Sequence, residues 1–295
     1  MRRRLLTGNE AVALGALRAG VRVVTGYPGT PSTGAMGSLS KMDLNTGGES
    51  GESNGRHVEW STNEKVAFEI AAGTAWAGQR AMCTMKMSGL NVASDAVFSI
   101  AHSGVNGGLV IYVADDPGAH AGMVEQDSRG YARMMELPML EPTTVAEAYQ
   151  IVQRAFDLSE QCGSPVLVRS VTAIANSHAP VDVEDPVVPQ DREPILDRDI
   201  AKYTKAGSAI AQAQHRDVIA RLARAGEIIR EMGLNELSMG AAGGAAGMET
   251  CPTLGVVAAG VVASYLEEGF EIASEFGFER DTVSVLRVRA TNPPP

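Results

Sequence analysis

The sequence predicts an α/β protein built on a doubly wound parallel sheet. Over the first 175 residues, apolar runs of strand length alternate regularly with helical segments. Most of these runs are continuously apolar, which is typical of strands covered by helices on both faces. Repeated strand–helix–strand units connect parallel strands through crossover helices. The regular alternation and the continuous apolar strands together indicate this fold class.

The individual elements follow in chain order. The predicted strands are residues 21–26, 57–61, 80–86, 108–116 and 165–171, with a shorter one at 138–142. The predicted helices are residues 9–19, 31–42, 62–77, 91–101 and 145–161. After the first helix, each helix connects two strands, as a parallel sheet requires.

Beyond residue 175 the regular alternation stops. Residues 176–200 are rich in proline and acids, which is typical of a linker or a strap across a neighbouring surface. A long polar helix is predicted near 206–231. The Gly/Ala-rich residues 238–253 are predicted to be a flexible linker, because no strand leads into them and no phosphate-binding GK(S/T) closes them.

Residues 253–295 read as strand, helix, strand. Two strands and one helix cannot bury their apolar faces. We therefore expect the beginning of a second α/β domain, incomplete here and completed by another polypeptide or by a longer product. The predicted domains are an α/β domain at 1–175, a linker region at 176–252 and the start of the second domain at 253–295.

Composition excludes several classes of protein. A net charge of −10 without a local basic cluster argues against a nucleic-acid partner. The start MRRRLL resembles a signal peptide, but Asn9, Glu10 and Arg18 interrupt the apolar core that export needs. The longest apolar run, 254–266, is too short to span a bilayer. We expect a cytoplasmic protein without a membrane span.

The cysteines are odd in number and far apart, at Cys83, Cys162 and Cys251, with no CxxC pair. This pattern provides no framework for an iron–sulfur cluster or a zinc site in this chain. The cysteines are expected to be small buried apolar residues.

The turn GYPGTPS (26–32), after the first predicted strand, has two interpretations. Structurally, Pro28 and Gly29 form the turn, Thr30 caps the next helix and Pro31 takes its first position. Functionally, a helix start at the carboxyl end of a parallel strand is where open α/β sheets bind ligands, and its N–H groups favour an anion. Spacing alone leaves both interpretations open.

Glu64 also has two interpretations. Ser61 and Glu64 have the spacing of a capping box ahead of an apolar helix. A partly buried carboxylate at the carboxyl end of a strand could instead accept a hydrogen bond from a ring nitrogen and take part in acid–base chemistry.

Two further segments carry candidate residues at the same edge. Asp115, Asp116 and His120 crowd the turn after the fourth long strand, but their spacing fits no common metal site, so they are predicted only to form a wall of the site. Lys86, which precedes Ser88 and Gly89 at a strand end, could bind a substrate carboxylate or pair with an acid. The sequence has no GxSxG, Walker A, HExxH or Rossmann motif.

Several of these stretches, in this order, resemble the thiamine-diphosphate-dependent 2-oxoacid:acceptor oxidoreductases, and most of all the α subunits that act on indolepyruvate with ferredoxin. The resemblance is close over about residues 5–172 and weaker over 254–295. The matching stretches are GNEAVALGALRAGVRVVTGYPGTPS, VEWSTNEKVAFEIAAG, TMKMSGLNVASD, GLVIYVADDPGAH, EQDSR and MLEPTTVAEAY.

The resemblance implies that residues 1–175 bind the pyrimidine half of thiamine diphosphate. It implies that Glu64 hydrogen-bonds the aminopyrimidine and that Thr30 meets the substrate's carboxylate and oxo groups. The other implied cofactor-binding candidates are Tyr27, Pro28, Gly29, Gly89 and Asn91. The substrate-contact candidates are Thr30, Ser32, Lys86 and His120, and no metal ligand is implied.

The chain also departs from that family. It has no Gly-Asp-Gly motif, so magnesium and the diphosphate are expected on another polypeptide, and the chain is not expected to be active alone. The implied partners are subunits with diphosphate-binding, γ-type and iron–sulfur domains, together with a 2-oxoacid, coenzyme A, and ferredoxin or NAD as acceptor. Met87 stands where indolepyruvate members commonly have histidine, which leaves the preference for an aromatic substrate open.

Alternative functions remain. The substrate could be phenylglyoxylate or an aliphatic 2-oxoacid, the chemistry could be non-oxidative decarboxylation or synthesis, or the chain could be a non-catalytic scaffold. The retained Thr30 and Glu64 stretches favour an enzyme subunit over a scaffold. The loop at 113–129 favours the oxidoreductases.

Overall fold

The computed structural model describes residues 1–46, 55–196, 198–240 and 254–295. Its strands are β1 (Arg2–Thr7), β2 (Val23–Gly26), β3 (His57–Trp60), β4 (Ala81–Lys86), β5 (Leu109–Asp115), β6 (Met139–Leu140), β7 (Val166–Val171), β8 (His178–Val183), β9 (Glu236–Ser238), β10 (Leu254–Ala259), β11 (Val283–Val288) and β12 (Ala290–Asn292). Its helices are α1 (Gly8–Arg18), α2 (Thr33–Thr46), α3 (Glu64–Trp76), α4 (Met87–Ser103), α5 (Arg129–Met134), α6 (Val145–Cys162), α7 (Thr172–Ala175), α8 (Ile200–Tyr203), α9 (Ser208–Glu231) and α10 (Leu266–Ser274).

The central sheet has seven strands in the order β12-β6-β7-β5-β4-β2-β3. All neighbours are parallel except β12, which runs antiparallel to β6. The predicted parallel α/β fold is thus confirmed. From β2 the chain goes first to one side, to β3, and then crosses to the other side, to β4. The carboxyl ends of β2 and β4 therefore flank a topological switch point, where open α/β sheets bind ligands.

Helices cover both faces of this sheet. One buried cluster joins α1, α2 and α6 to one face, and a second joins α3 and α4 to the other. Every residue of β5 is buried, which explains why its sequence is continuously apolar. Each large apolar side chain buried in these clusters stabilises the fold by about 1.5–3 kcal/mol relative to exposure.

Arg2–Thr7, at the charged start of the sequence, forms the strand β1. β1 pairs antiparallel with β8, which lies inside the predicted linker. Val181 and Val183 are buried while Asp182 between them is exposed. This period of two is a strand signal, but it is too short to stand out among the prolines and acids around it.

After β8, residues 184–196 run as a strap over the end of the sheet opposite to the strand carboxyl ends. Val187 donates its N–H to the Leu17 carbonyl at 3.2 Å, and Ile195 donates to the Ala77 carbonyl at 3.1 Å. Most of the predicted flexible linker, 238–253, lies within residues 241–253, which are outside the described residues. Cys251 also lies there. Cys83 and Cys162 are both buried.

The C-terminal residues form a second small sheet and then rejoin the first. β10 and β11 are parallel, and β9 runs antiparallel to β11. β12 then pairs with β6 of the central sheet, and Asn292 donates its side-chain N–H to the Leu137 carbonyl at 2.6 Å. Within the described ranges, no helix is both long and apolar enough to cross a bilayer.

Candidate functional site

The first turn of α4 is where the candidate segments meet. It follows β4 directly, beside the switch point. The start of α3 and the loop after β5 contact this first turn, and the turn after β2 contacts Lys86, the residue just before it. Because carboxyl ends of parallel strands share one edge of a sheet, these segments could be expected to be neighbours. The individual contacts show how closely they approach.

Gly29 packs against the aliphatic part of Lys86. A Cβ added to Gly29 would lie 2.7 Å from Lys86 Cγ and 2.8 Å from Cδ, so only glycine permits this approach. Lys86 is half-buried, and no carboxylate in the described part of the chain lies within ion-pair distance of its ammonium. Of its two predicted roles, pairing with an acid of the described chain is therefore not found.

Gly89 makes an equally close contact with Glu64. A Cβ on Gly89 would lie 2.6 Å from both Cγ and Oε1 of Glu64. Glu64 is the first residue of α3 and is only 6% exposed. The absence of a side chain at Gly89 thus creates the space in which the carboxylate sits.

The predicted Ser61–Glu64 capping box is wrong. Asn63 caps α3 instead, because its side-chain oxygen accepts the Val66 N–H at 2.9 Å. Ser61 Oγ is buried and has no hydrogen-bond partner in the described structure. Asn63 therefore satisfies the helix start, and Glu64 is not needed for it.

The Glu64 carboxylate lies against Gly89 and near the buried Cys83. Among the described residues it makes no hydrogen bond or ion pair. Burial raises the pKa of the neighbouring Cys83 thiol to about 12, and the Glu64 charge adds to this effect. A carboxylate placed in this way is chemically suited to accept a hydrogen bond from a ligand.

The turn after β2 is closed by its own hydrogen bonds. The Gly29 carbonyl accepts the Ser32 N–H at 2.9 Å and the Ser32 hydroxyl at 2.7 Å, and the Gly29 N–H donates to Thr33 Oγ1 at 2.8 Å. Helix α2 begins only at Thr33. The predictions that Thr30 caps this helix and that Pro31 takes its first position are therefore wrong, because the two residues form the turn that precedes the helix.

This turn leaves Thr30 and Ser32 in different environments. Ser32 is 1% exposed and its hydroxyl is used within the turn, which weighs against a direct contact with substrate. Thr30 is exposed at the tip of the turn, next to the exposed Tyr27 and Pro28. Of the hydroxyls predicted to meet substrate, Thr30 is the one that is accessible.

A buried polar pair that sequence reasoning missed holds the turn in place. Asn9 of α1 donates its side-chain N–H to the Pro31 carbonyl at 2.9 Å. Tyr112 of β5 donates its hydroxyl to Asn9 Oδ1 at 3.0 Å. The sequence signal for this pair was one asparagine among the apolar residues of α1.

The two acids at the carboxyl end of β5, Asp115 and Asp116, have structural partners. Asp116 accepts hydrogen bonds from Thr172 Oγ1 at 2.6 Å and from the N–H groups of Ala121 and Gly122 at 2.7 and 2.8 Å. These bonds, Thr172 first, lower the pKa of Asp116 to about 2. Asp115 binds Ser128 and Arg169. The described residues contain no group of three or more His, Cys, Asp or Glu placed to hold a metal ion.

The loop after β5 closes onto α4. A Cβ on Gly122 would lie 3.1 Å from Met87 Cε. Gln126 donates to the Met87 carbonyl at 3.2 Å and exchanges hydrogen bonds of 2.8 and 2.9 Å with the Asn91 amide. Asn91 was predicted to begin this helix and to bind cofactor. The helix begins at Met87 instead, and Asn91 holds the loop.

His120 is exposed in the loop after β5, and its ring lies close to Gly118, where an added Cβ would be 3.1 Å from Nε2. No hydrogen bond within the described structure links His120 to Glu64 or Lys86, so its contact with substrate stays a prediction. The structure brings Gly29 against Lys86 and Gly89 against Glu64, with Thr30 exposed on the same turn as Gly29.

Comparison with known proteins identifies the family of this chain. The family described as pyruvate flavodoxin/ferredoxin oxidoreductase, thiamine diphosphate-binding, matches residues 14–231. The chain is similar to indolepyruvate oxidoreductase subunit IorA from Archaeoglobus fulgidus, with 44% identity over 60% of this chain and 28% of the relative. It is also similar to the subunit of the same name from Methanothermobacter thermautotrophicus, with 36% identity over 98% of this chain and 43% of the relative.

The fold also matches a solved structure. The 2-oxoglutarate:ferredoxin oxidoreductase from Magnetococcus marinus aligns with a TM-score of 0.74 and 15% identity, over 99% of this chain and 55% of that one. The chain spans less than half the length of the two curated relatives. Because the family match covers well over half of the chain, the chain belongs to the thiamine-diphosphate-binding family of pyruvate flavodoxin/ferredoxin oxidoreductases.

Proposed function

We propose that this chain supplies the aminopyrimidine-binding half of a thiamine diphosphate site in a 2-oxoacid oxidoreductase complex. The observation that carries the proposal is the buried Glu64 carboxylate, which lies against Gly89 at the switch point and is not engaged by the described residues. Family membership supplies the cofactor class, and the geometry supplies a group suited to it.

The residues at this edge fit an aromatic nitrogen ring. Gly29 and Gly89 remove side-chain atoms at the two places where a Cβ would fill the space beside Lys86 and Glu64. The exposed rings of Tyr27 and Trp60 lie at the ends of the neighbouring strands β2 and β3. When bound, thiamine diphosphate would supply a stabilised carbanion for decarboxylation of a 2-oxoacid.

The chain's own part in the reaction would be positioning and proton transfer. A Glu64 carboxylate oxygen would accept a hydrogen bond from the protonated pyrimidine ring nitrogen, and when Glu64 itself carries that proton its carboxyl group would donate to the nitrogen. The Lys86 ammonium, which no described acid neutralises, would attract the substrate carboxylate. The exposed Thr30 hydroxyl would donate to the substrate's carboxylate or oxo oxygen.

We also propose a substrate and partners for this complex. We propose an aryl 2-oxoacid, with indolepyruvate first, since the two curated relatives are named for indolepyruvate. Coenzyme A would accept the acyl group, and partner polypeptides would bind magnesium diphosphate and carry the electrons through iron–sulfur clusters to ferredoxin. The domain boundaries predicted at residues 175 and 252 also remain a proposal. β12, which belongs to the third of these segments, pairs with β6 of the central sheet.

The test is Glu64→Gln in the complete complex, with Glu69→Gln as the matched control. Glu69 lies on the same helix and is exposed. Anaerobic dye reduction with coenzyme A and a panel of 2-oxoacids would be measured, together with thiamine diphosphate binding. We expect Glu64→Gln to lower turnover by at least 10²-fold, as expected for loss of an acid–base group, and Glu69→Gln to leave it unchanged.

The panel also separates the substrate classes. Reduction with indolepyruvate and not with pyruvate or 2-oxoglutarate would support the aryl 2-oxoacid. Full turnover of Glu64→Gln would refute the role of this carboxylate. No reduction with any 2-oxoacid, together with no cofactor binding, would instead favour a non-catalytic scaffold.

A further inference from the structure

A buried charge network lies behind the loop that closes onto α4. We call it the arginine network, and its members are Asp115, Arg129, Glu141 and Arg169. Asp115, Glu141 and Arg169 are at most 5% exposed. Arg169 donates to Asp115 at 2.6 Å and to Glu141 at 2.7 Å, and Arg129 forms two hydrogen bonds of 2.8 Å with the Glu141 carboxylate.

Glu141 is the centre of this network because it is the buried carboxylate that contacts both arginines. The more exposed Asp127, inside the 116–128 loop, lies farther away, at 3.3 Å from Arg129 and 3.5 Å from Arg169. Breaking a buried ion pair by removing one partner leaves the other charge uncompensated, which is strongly unfavourable. Arg129 is the first residue of α5, directly after Ser128, whose N–H donates to Asp115 at 2.9 Å. The arginine network therefore holds the end of the 116–128 loop at two adjacent residues, Ser128 through Asp115 and Arg129 through Glu141.

The loop held in this way carries two contacts with the first turn of α4. Gln126 donates to the Met87 carbonyl, and Gly122 packs against Met87 Cε. Met87 lies between Lys86 and Gly89, which contact the β2 turn and Glu64. A continuous series of contacts thus connects Glu141 to the proposed cofactor site.

Residues of the C-terminal region contact the ion pair between Glu141 and Arg129. Gly260 follows β10 and has a φ of +59°, and a Cβ there would lie 2.9 Å from Glu141 Oε2 and 3.4 Å from the nearer Arg129 nitrogen. The Glu141 N–H also donates to the Arg289 carbonyl at 2.7 Å. Glycine is needed at 260 both for the backbone conformation and for the close approach to the Glu141–Arg129 ion pair.

We propose that Glu141 is a positioning residue: by joining Arg129 to Arg169 it fixes the 116–128 loop against α4, and Gly260 allows the C-terminal sheet to close over it. The effect of Glu141 on catalysis rests on the proposed function. Its effect on the position of the 116–128 loop is independent of that function, because it can be measured without substrate.

The test uses Glu141→Gln and Gly260→Ala in the complete complex. Glu227→Gln is the charge-matched control, since Glu227 is exposed on α9. Gly255→Ala is the glycine control, because a Cβ on Gly255 has no heavy atom within 4 Å. Amide hydrogen exchange would be followed in residues 116–128 and in α6, and KM for the 2-oxoacid would be measured separately from kcat.

We expect both test variants to speed exchange in 116–128 by about tenfold or more, the effect of weakening one charge-assisted hydrogen bond, with α6 unchanged. Where the complex is active, KM should rise more than kcat falls, because the loop positions rather than reacts. Unchanged exchange in both variants would overturn the proposal. An equal rise in 116–128 and α6 would also overturn it, since that indicates general destabilisation. If no 2-oxoacid is oxidised by the unmodified complex, only the proposed function fails.

Discussion

Replacing Gly89 by alanine is the sharpest perturbation of the proposed site. The added Cβ would lie 2.6 Å from Cγ and Oε1 of Glu64, whereas ordinary contact begins at 3.4 Å. The carboxylate cannot avoid this by rotating its end alone, because Cγ is among the atoms in conflict. Glu64 or the first turn of α4 must therefore move by about 0.8 Å to restore normal contact.

A shift of this size should lower activity strongly while changing stability only a little. A misplacement of about 1 Å in a catalytic group can cost about 10²-fold in rate, so we expect kcat/KM of the complete complex to fall by about 10- to 100-fold. Alanine has a better helix propensity than glycine by about 1 kcal/mol, which offsets part of the steric cost. We expect the thermal midpoint to change by only a few degrees.

The assay is steady-state dye reduction, paired with thermal unfolding of the same preparation. Gly73→Ala is the matched control, because Gly73 lies within α3 and a Cβ there meets no heavy atom within 4 Å. This control should raise stability by about 0.5–1 kcal/mol and keep full activity. Full activity in Gly89→Ala, with its fold intact, would show that the position of Glu64 does not control the reaction.

Three further predictions concern the surroundings of the site. The pKa of Asp116 is about 2, below the ordinary 3.8, so its hydrogen bonds stabilise the fold above about pH 4 and this contribution is lost as the pH falls towards 2. The stability deficit of Thr172→Val in urea unfolding should therefore be largest near pH 6 and shrink below pH 4. Asn9→Ala leaves the Tyr112 hydroxyl without its partner and should lower the free energy of unfolding by about 1–3 kcal/mol, measured by the same method. Lys86→Met keeps the apolar stem and should raise KM for the 2-oxoacid about tenfold or more, measured by initial rates, with little change in the thermal midpoint; an unchanged KM would exclude the substrate contact.

The central fold could be predicted because its signals are local. In the run Leu109–Asp115 the first six residues form an unbroken, largely apolar stretch, and all seven residues are buried. The helices between such runs then have to cover the two faces. The order β3-β2-β4 places the ends of separate strands together, so candidate residues found singly in the sequence were expected at one edge.

The starts of the helices could not be predicted with the same certainty. Ser61 and Asn63 are both good capping residues two positions apart, and each has a residue three positions later to bond with. The structure uses Asn63. At the β2 turn the hydrogen bonds to Gly29 delay α2 until Thr33. Such outcomes depend on which arrangement the neighbouring segments allow, and spacing does not contain that information.

Pairings between distant residues were the part that the sequence did not reveal. Arg169 meets Asp115 and Glu141 from positions 54 and 28 residues away. β1 and β8 lie far apart in the sequence and pair along their whole length. A single arginine or a six-residue alternation is common in any sequence, so neither stands out until the fold brings its partner into contact.

The crowded turn after β2 can now be explained in physical terms. Its chain must leave a buried strand, pass over the Lys86 stem and expose one hydroxyl before a helix begins. Gly29 permits the close passage, the Asn9 amide fixes the Pro31 carbonyl, and Ser32 ties its hydroxyl back to the turn. These constraints leave Thr30 exposed on a rigid support. Glu64 is fixed in the same manner by Gly89, so the proposed site has its geometry before any ligand binds, which is the condition for a small displacement to matter.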